Sequence, residues 1–461
     1  MNKFIVAVIT LLTLNSSLLI LDSDAQWVNY TLPYNGIAGT IGFFNTNTGV
    51  SCGSNMSSLQ LYYTTNSGSN WVLSTYPLEI NNLADVQFIN SSTVYACGNE
   101  AIAPASYRTA FLKSSNSGIS WVKVGASDTL KGSMDNMHFF DANTGYALID
   151  SSLTGNTRFY KTTNAGVNWQ RNQLVEAGMR INKMYFFDIN TGFISGKKYN
   201  GGPAGAYGAI YKTSNDGVNF IKTSFPGASE ITDFTFLNST TGIATGYSKA
   251  GGTTIFRTTN AGSQWDSILY LSTRTMNNIE SIQNTGTAFA IGNMMDTISG
   301  YIVISTMKTT NYGTNWVVKD INQNTLLLGL YLIDQNNFMM SGGDVYSTPY
   351  GPARIFKSTN GGNVFVNQIG TSVPSSYILG QNYPNPFNPR TVIRCQLPVV
   401  SNVSLKVYDI MGREVQTLVN ERLQPGTYEA MFDGSMMNSG VYFYKLVTDG
   451  FTETKRMLLI K

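Results

Sequence analysis

Three carboxylates have the residue type and spacing to act together in acid–base chemistry. Asp85, Asp233 and Glu280 lie in apolar, strand-like stretches that recur about every fifty residues. If such strands surround a common channel, two of these carboxyl groups face each other across it. Two carboxylates flanking a sugar ring are what glycoside hydrolases use as acid and base. Carbohydrate hydrolysis is therefore one chemistry that the sequence offers.

The sequence contains few of the residues that other catalytic mechanisms need. His138 is the only histidine and lies inside the strand-like stretch MHFFD, so neither a Ser-His-Asp triad nor a histidine-rich zinc site is expected. No phosphate-binding glycine loop leads from a strand into a helix. We expect no metal and no cofactor. Asn136, Lys183 and the nearby Asp135 are expected in the same region as the carboxylates. A non-catalytic explanation is also open, because polar residues collect at channel mouths in any case.

A second candidate set consists of tyrosines in segments of variable length, such as KKYNGGPAGAYG (197–208) and GDVYSTPYGPA (343–353). Tyrosine combines a flat apolar ring with a polar hydroxyl, which suits contact with sugar rings or protein surfaces. We predict that these tyrosines, together with Lys183, contact a ligand. The tyrosines are Tyr107, Tyr199, Tyr207, Tyr247, Tyr301, Tyr346 and Tyr350.

The elements that position these residues follow a repeat. A motif of hydroxyl residue, any residue, Asn, any residue, Gly, two residues and then Trp or Phe, here called the box, occurs seven times at steps of 50, 48, 51, 45, 51 and 49 residues. A fixed period of this length indicates one repeated supersecondary unit. The Asn, Gly and aromatic residues of the boxes are Asn66, Gly68, Trp71; Asn116, Gly118, Trp121; Asn164, Gly166, Trp169; Asn215, Gly217, Phe220; Asn260, Gly262, Trp265; Asn311, Gly313, Trp316; and Asn360, Gly362, Phe365.

A second motif alternates with the box: an apolar strand, an Asn/Asp-x-x-Thr-Gly or similar turn, here called the N-T-G turn, and a second strand, as in MHFFDANTGYAL (137–148). Each unit thus contains four short strands in a meander. Seven such units predict an all-β fold with a seven-bladed β-propeller over residues 26–370. The segment WVNYTLP (27–33) resembles an extra outer strand and is a candidate to complete the last blade.

The box is predicted to be a structural staple. Asn hydrogen-bonds backbone two residues on, Gly supplies a positive φ, and the aromatic residue covers the hairpin and its neighbour. In a meander, both repeated motifs fall at one end of each blade. The variable segments fall at the opposite end, where loops on a rigid scaffold carry recognition.

The box resembles the Asp-box, or BNR repeat, of sialidase-type propellers, sortilin-type receptors and the photosystem II stability/assembly factor family. The accompanying F-x-x-x-N-x-T-G-x-x-x-G pattern favours the last of these, and the resemblance spans residues 36 to 370. Asn stands where many family copies have Asp. A sialidase site is not supported, because ARIF (353–356) is the nearest match to its Arg-Ile-Pro element and Arg180 and Arg274 do not complete an arginine triad.

The N-terminus indicates export. Residues 1–25 contain a basic residue, an apolar run from Phe4 and a small-x-small cleavage site at 23–25, which predict a removable signal peptide. A membrane anchor is the alternative, but Asn15-Ser16-Ser17 interrupts the run, and no other stretch is apolar and long enough to span a bilayer. We expect no transmembrane segment in the mature chain.

Composition limits the partners further. Charged residues make up 12% of the chain and the formal net charge is +3, which gives no reason to expect nucleic-acid binding. Only three cysteines are present. Cys52 and Cys97 occupy matching places in neighbouring units, and we expect buried free thiols there rather than a disulfide, which would need a close approach of the two blades.

The C-terminal region follows a different pattern. After a linker at 371–379, residues 380–461 show alternating apolar strands between Gly, Pro and Asn turns, which predict a small immunoglobulin-like antiparallel sandwich. These residues resemble the type A C-terminal sorting domain of the type IX (Por) secretion system of Bacteroidetes and related phyla; a carbohydrate-binding sandwich is the alternative. The matching positions are Asn382, Pro384, Asn385, Pro386, Phe387, Asn388, Pro389, Gly412, Gly426, Gly440 and Lys461.

The resemblance implies export through the periplasm to the cell surface or the medium, with the type IX translocon and its sortase-like peptidase as partners. Two hypotheses then remain for the propeller. One is a secreted or surface-attached, non-catalytic module that binds glycan or protein through its variable loops. The alternative is a secreted carbohydrate-active hydrolase that uses carboxylates at the channel mouth.

Overall fold

The chain forms β-sheet throughout the part that the structure describes. The computed structural model describes residues 27–460 apart from 56–57, 104–105, 126–129, 131, 152–155, 172–175, 200–204, 226, 296–301, 322–324, 345–350, 359–366, 371–372 and 435–436. Nine four-stranded sheets form within these residues, and no α-helix occurs among them. The expected signal peptide and Lys461 lie outside the described residues.

Six of the sheets are antiparallel meanders whose strands follow one another in sequence. The first three, called sheets 1 to 3, contain β2 (Ile37–Phe43), β3 (Gly49–Ser54), β4 (Leu59–Thr64) and β5 (Val72–Leu73); β6 (Ile80–Phe88), β7 (Val94–Ala103), β8 (Ser106–Ser114) and β9 (Val122–Lys123); and β10 (Ser133–Phe139), β11 (Gly145–Ser151), β12 (Asn156–Thr162) and β13 (Gln170–Arg171). Sheets 4 to 6 contain β14 (Met179–Phe186), β15 (Gly192–Lys198), β16 (Tyr207–Thr213) and β17 (Ile221–Phe225); β18 (Ala228–Phe236), β19 (Gly242–Ser248), β20 (Thr253–Thr258) and β21 (Asp266–Leu271); and β22 (Arg274–Ile282), β23 (Thr287–Met295), β24 (Ile302–Thr309) and β25 (Val317–Ile321).

Sheet 7 is completed from the other end of the chain. It contains β26 (Leu326–Leu332), β27 (Phe338–Gly343) and β28 (Pro352–Ser358), and its fourth strand is β1 (Trp27–Asn35). β1 pairs antiparallel with β28, beginning with Trp27 opposite Ser358. Buried Leu32 of β1 packs in one apolar cluster with Ile355 of β28. The sequence-based expectation that residues 27–33 complete the last unit is confirmed.

The seven sheets form a closed ring. The first strand of each sheet contacts the first strand of the next, and β26 of sheet 7 contacts β2 of sheet 1. The apolar core is divided between adjacent sheets: Leu61 of sheet 1 clusters with Leu83 of sheet 2, and Phe159 of sheet 3 clusters with Met184 of sheet 4. Because each sheet buries its faces against two neighbours, no sheet needs a separate core.

The two remaining sheets enclose a core of their own. One sheet has the order β29 (Asn367–Gly370), β34 (Gly426–Asp433), β31 (Arg390–Leu397), β30 (Ile378–Leu379), and the other has the order β33 (Glu414–Leu423), β32 (Ser401–Tyr408), β35 (Gly440–Val447), β36 (Thr452–Leu459). Fully buried Leu405, Tyr444 and Phe432 lie in one cluster between them.

The C-terminal pair of sheets begins earlier in the chain than the sequence predicted, which had placed the end of the propeller at residue 370 and the start of the sandwich at residue 380. β29 falls at the end of the expected propeller segment and β30 in the expected linker, yet they pair with β34 and β31 respectively. Neither strand carries the box or N-T-G motif that marks the repeat, so the sequence pattern had no signal for them. The strands of the C-terminal pair of sheets therefore begin at Asn367.

The cysteines in the described residues are free thiols. Cys52 in β3 and Cys97 in β7 are both fully buried, as is Cys395 in β31 apart from a trace of exposure. Burial raises the pKa of each thiol, which disfavours the reactive thiolate form. The three cysteines therefore act as apolar core side chains. The expectation of buried free thiols at Cys52 and Cys97 is confirmed.

Candidate functional site

A β-bulge recurs at the same place in the first strand of every sheet in the ring. The pairing register of the first and second strands shifts by one residue there, for example between Leu83 and Asp85 or between Ile231 and Asp233. Bulges redirect side chains and are common beside functional sites. The residues that follow the seven bulges form one layer around the ring: Thr40, Asp85, Asn136, Lys183, Asp233, Asn278 and Gly329.

The carboxylates in this layer accept hydrogen bonds from the next sheet. Oδ2 of Asp85 accepts from Nδ2 of Asn136 and from the backbone N–H of Met137, each at 3.0 Å. Oδ2 of Asp233 accepts from the backbone N–H of Ile279 at 3.0 Å. The other carboxylate oxygen of each residue accepts from the N–H of the following residue. Two of the three candidate catalytic carboxylates therefore connect neighbouring sheets.

Lys183 is the cation of the same layer. Its Nζ lies 3.7 Å from Oδ1 of Asp233, and its side chain is 29% exposed whereas that of Asp233 is 4% exposed. Asp233 is the main cause of the raised pKa of Lys183, and Glu280 and Asp85 add to it. The structure thus brings Lys183, Asp233, Glu280 and Asp85 into one electrostatic cluster, here called the channel cluster.

Burial shifts the pKa of the acids in the channel cluster upward. It raises the pKa of Glu280 to about 7, against the opposing effect of Lys183, and that of Asp85 to about 6, against the Met137 hydrogen bond and Lys183. Burial also raises the pKa of Asp233, although Lys183 opposes it. Burial and Lys183 lower the pKa of His138 to about 4, so this histidine is neutral at pH 7. A carboxyl group with a pKa near 7 has the proton affinity of a general acid.

The candidate tyrosines lie in several places at the end opposite the boxes, here called the loop face. Tyr207 accepts a 2.8 Å hydrogen bond from Nζ of Lys222, and Tyr247 donates one of the same length to Oδ1 of Asn277. Tyr199 follows β15 and is half-buried. Tyr107 lies in β8, but its side chain falls outside the described part. Tyr301, Tyr346 and Tyr350 lie outside the described residues altogether. Among the described tyrosines, only Tyr199 and Tyr207 lie at the end of the same sheet.

The box turns share one geometry in sheets 1 to 6. In sheet 3, the hydroxyl of Thr162 accepts from the N–H of Gly166 at 3.0 Å, and Oδ1 of Asn164 accepts from the N–H of Asn168 at 2.9 Å. The box glycines have φ between 71° and 90°, a region that favours glycine. Asn360, Gly362 and Phe365 of the seventh box lie outside the described residues.

The box aromatic rings pack across sheet boundaries. The ring of Trp169 meets Phe111 of sheet 2 edge-on at 5.4 Å between centroids, and Phe220 of sheet 4 meets Phe159 of sheet 3 at 5.9 Å. In the same turns, the N–H of Ala165 donates to the carbonyl of Asn143 in the N-T-G turn of its own sheet at 2.9 Å. Both repeated motifs therefore lie at one end of the ring, here called the box face.

Sequence reasoning missed a basic residue that connects box turns. Lys or Arg directly precedes the box hydroxyl in all copies except the first, a signal visible in the sequence. Nζ of Lys212 donates to the carbonyl of Ala261 at 2.9 Å, in the box of the next sheet. Nζ of Lys357 donates to the carbonyl of Ser67 at 3.3 Å, which joins sheet 7 to sheet 1.

The predicted sorting residues hold the final strand of the chain. The N–H of Phe387 donates to the carbonyl of Leu458 at 2.9 Å, and Oδ1 of Asn385 accepts from the N–H of Leu458 at 3.0 Å. The buried Asn382 uses its backbone N–H to donate to the hydroxyl of Tyr444 at 2.9 Å. Gly412 has φ 76° at the β32–β33 turn, where the preceding Met411 is 75% exposed. The NYPNPFNP segment and β36 therefore form one unit.

Comparison with known proteins agrees with the division of the chain into a ring of sheets and a C-terminal pair of sheets. The ring of sheets is a β-propeller: it matches a solved structure described as YCF48 bound to D1 peptide, with 13% sequence identity, a TM-score of 0.52, and coverage of 72% of this chain and 95% of that one. Residues 381–461 match the family model of the secretion system C-terminal sorting domain. The chain therefore carries a type IX sorting domain, which indicates export to the cell surface or secretion.

Other structural neighbours are more distant. The GH74 enzyme of Niastella koreensis is 15% identical with a TM-score of 0.44, over 90% of this chain and 65% of that one. The β-propeller domain of the Trilobed protease from Pyrococcus furiosus is 8% identical with a TM-score of 0.40, over 70% and 94%. The comparison with curated proteins gave no match. Within the described residues, no helix has the length and apolar character needed to cross a membrane.

Proposed function

We propose that the chain is an exported, non-catalytic binding protein. Its seven sheets are the blades of one propeller that binds glycan or protein at the loop face, and residues 367–461 form an immunoglobulin-like sandwich that the type IX translocon and its sortase-like peptidase handle. One observation carries the non-catalytic assignment: the carboxylate oxygens of Asp85 and Asp233 are occupied by hydrogen bonds from the chain itself, mainly from the next blade. Asp85 thereby links sheets 2 and 3, and Asp233 links sheets 5 and 6.

The binding assignment is tested with a glycan array and a polysaccharide-hydrolysis screen on the purified chain. We expect glycan or protein binding without turnover. Replacing Tyr199 and Tyr207 with Ala is expected to weaken binding by about tenfold or more, because loop aromatics serve as contact anchors. The matched control is Tyr383→Ala in the sorting domain, where the tyrosine is 81% exposed. Unchanged binding in the double variant would place the ligand elsewhere.

The alternative is a secreted carbohydrate-active hydrolase, and one observation favours it. Burial raises the pKa of Glu280 to about 7, the range of a general acid, and this residue lies in the channel cluster with Lys183. If the screen detects polysaccharide cleavage, Glu280→Gln should abolish it while Glu79→Gln, at an exposed position between sheets 1 and 2, leaves it intact. Cleavage that survives Glu280→Gln contradicts this alternative.

A further inference from the structure

The loop-face end of sheet 4 carries an excess of positive charge. Arg180, Lys197, Lys198 and Lys222 belong to this sheet, and Glu176, just before it, is the carboxylate beside them. Nζ of Lys198 lies 3.5 Å from Oε1 of Glu176, and Nζ of Lys222 lies 3.0 Å from Oε2. Two ammonium groups thus share one carboxylate. The backbone of Lys222 lies near the box, opposite Tyr211, but its Nζ reaches Glu176 and Tyr207 and so joins this group.

Aromatic rings fix the position of two of these ammonium groups. Nζ of Lys222 lies 5.2 Å from the ring centroid of Tyr207, and Nζ of Lys197 lies 5.4 Å from that of Tyr199. A cation over an aromatic face is attracted by the ring quadrupole, which restricts a flexible lysine side chain. The two tyrosines therefore present ammonium groups at the loop face as well as ring surface. Because the side chains of Lys197 and Lys222 are already restricted, less side-chain entropy is lost when an anion binds to them.

Neighbouring carboxylates neutralise only part of this charge. Lys197 lies 3.8 Å from Oε2 of Glu230 in sheet 5. Glu230 also accepts a 2.6 Å hydrogen bond from Nδ2 of Asn182. Arg180 also acts on Asp135 of sheet 3, so with Glu176 and Glu230 the four cations face three carboxylates and the group carries a net charge of +1. Arg180 is exposed at the start of β14 and offers the planar guanidinium that binds carboxylate or sulfate oxygens in pairs.

We propose that this group of residues, Arg180, Lys197, Lys198 and Lys222 with Tyr199 and Tyr207, binds an anionic polysaccharide through its carboxylate or sulfate groups. The inference rests on the proposed function of the loop face and names its ligand class. The basic residues and both tyrosines belong to sheet 4 or adjoin it, so they form a local patch that suits a chain of sugar units. Nucleic acid would require a longer basic stripe across the domain.

The test is titration of the purified chain with alginate, a polyuronate, and with neutral dextran at low and high salt. Alginate should bind and dextran should not, and binding should weaken with salt because ion pairs are screened. The Lys197→Gln, Lys222→Gln double variant should lose roughly tenfold or more in affinity, and Lys222→Arg should retain most of it. Arg171→Gln is the matched control and should change nothing, because Arg171 is an exposed cation at the position of sheet 3 equivalent to that of Lys222 in sheet 4.

Each of the following outcomes would overturn the inference. Equal binding of dextran, an unchanged affinity in the double variant with an unchanged melting temperature, or equally tight binding of single-stranded DNA through the same lysines would each do so. If the array instead shows a neutral glycan that depends on Tyr199 and Tyr207 while alginate does not bind, the inference fails and the proposed function stands. If no glycan and no protein binds, the proposed function fails as well.

Discussion

Gly166 in the box turn of sheet 3 lies directly against the Phe111 ring of sheet 2. A β-carbon built on Gly166 would come within 2.1 Å of Cε1 of Phe111, closer than any real contact. The φ of Gly166 is 80°, so its backbone conformation is also one that side chains disfavour. This glycine therefore meets two requirements at once, one from its own turn and one from the adjacent blade.

We predict that Gly166→Ala lowers the free energy of unfolding by about 2 kcal/mol or more, since backbone strain and overpacking add. Gly68→Ala is the matched control: its φ is 81°, but the added β-carbon would lie 3.5 Å from the Trp71 ring nitrogen, an ordinary contact. Gly68→Ala should cost about 1 kcal/mol. Chemical denaturation measures both, and equal losses would show that the Phe111 contact is unimportant.

The sequence predicted one of these two requirements. The Asn-x-Gly spacing of the box specifies a turn with a left-handed glycine, which depends only on local geometry. Phe111 lies 55 positions earlier and has no motif that marks it as the partner of Gly166. The contact depends on how far one sheet is rotated relative to the next, which local patterns do not determine.

In sheets 1 to 6 the residue before the box glycine is also left-handed, and this gives a stabilising substitution. Ala165 has φ 60°, and the equivalent positions hold Ser67, Ser117, Asp216, Ala261 and Tyr312 with φ between 54° and 63°. Alanine is strained there, whereas Asn tolerates the region well. We expect Ala165→Asn to raise the unfolding free energy by about 0.5–1 kcal/mol. Ala250→Asn, at an exposed turn position without positive φ, serves as the control and should be neutral.

Glu280 should make stability depend on pH. Burial raises its pKa from 4.5 to about 7, so the folded protein keeps a proton that the unfolded chain releases in that interval. The resulting stabilisation is complete below about pH 4.5 and disappears as pH rises through 7. Glu280→Gln cannot ionise, so its melting temperature should exceed that of the wild type near pH 8 and approach it near pH 5.

The control for this measurement is Glu79→Gln at an exposed position, which should leave the pH profile unchanged. Lys183 and Asp233 act on Glu280 from two other blades, and Asp85 acts from a third. A profile of Glu280→Gln that parallels the wild type across this range would assign the pH dependence to those groups instead.

The pairing of β29 with β34 changes where the chain should be cut. A chain that ends at residue 366 loses the sandwich as a unit, whereas one that ends at 379 keeps β29 and β30 without their partner strands. Unpaired strands promote association between chains. We therefore expect the shorter chain to stay monodisperse and melt cooperatively, and the longer one to aggregate, as measured by light scattering.

Both truncated chains lack the sorting domain, so in a host with the type IX machinery they should stop in the periplasm. The complete chain should reach the surface or the medium in the same fractionation. Fusion of residues 367–461 to an unrelated exported protein should carry it to the same place. Surface delivery of either truncated chain would refute the role of the sorting domain.

The candidate site was predicted in outline but not in its roles. The equivalent positions of Asp85, Lys183 and Asp233 in the first strands of three sheets followed from the repeat, whereas their part in binding or catalysis stays a prediction. Their engagement with the next blade did not follow, since it depends on a bulge in each first strand, and a bulge has no consensus residue here. For Lys212, the repeated position of a basic residue before the box could be read from the sequence. Its hydrogen-bond partner, the carbonyl of Ala261 in the next sheet, could not.

The strand β1 has a consequence for the order of folding. Trp27 pairs with Ser358, about 330 residues later, so β1 is synthesised long before its partner strand. Closing a loop of that length has an entropic cost that grows with the logarithm of the length, and non-local pairing of this kind slows folding. Until the last blade has formed, the N-terminal strand remains an open edge that another copy can capture.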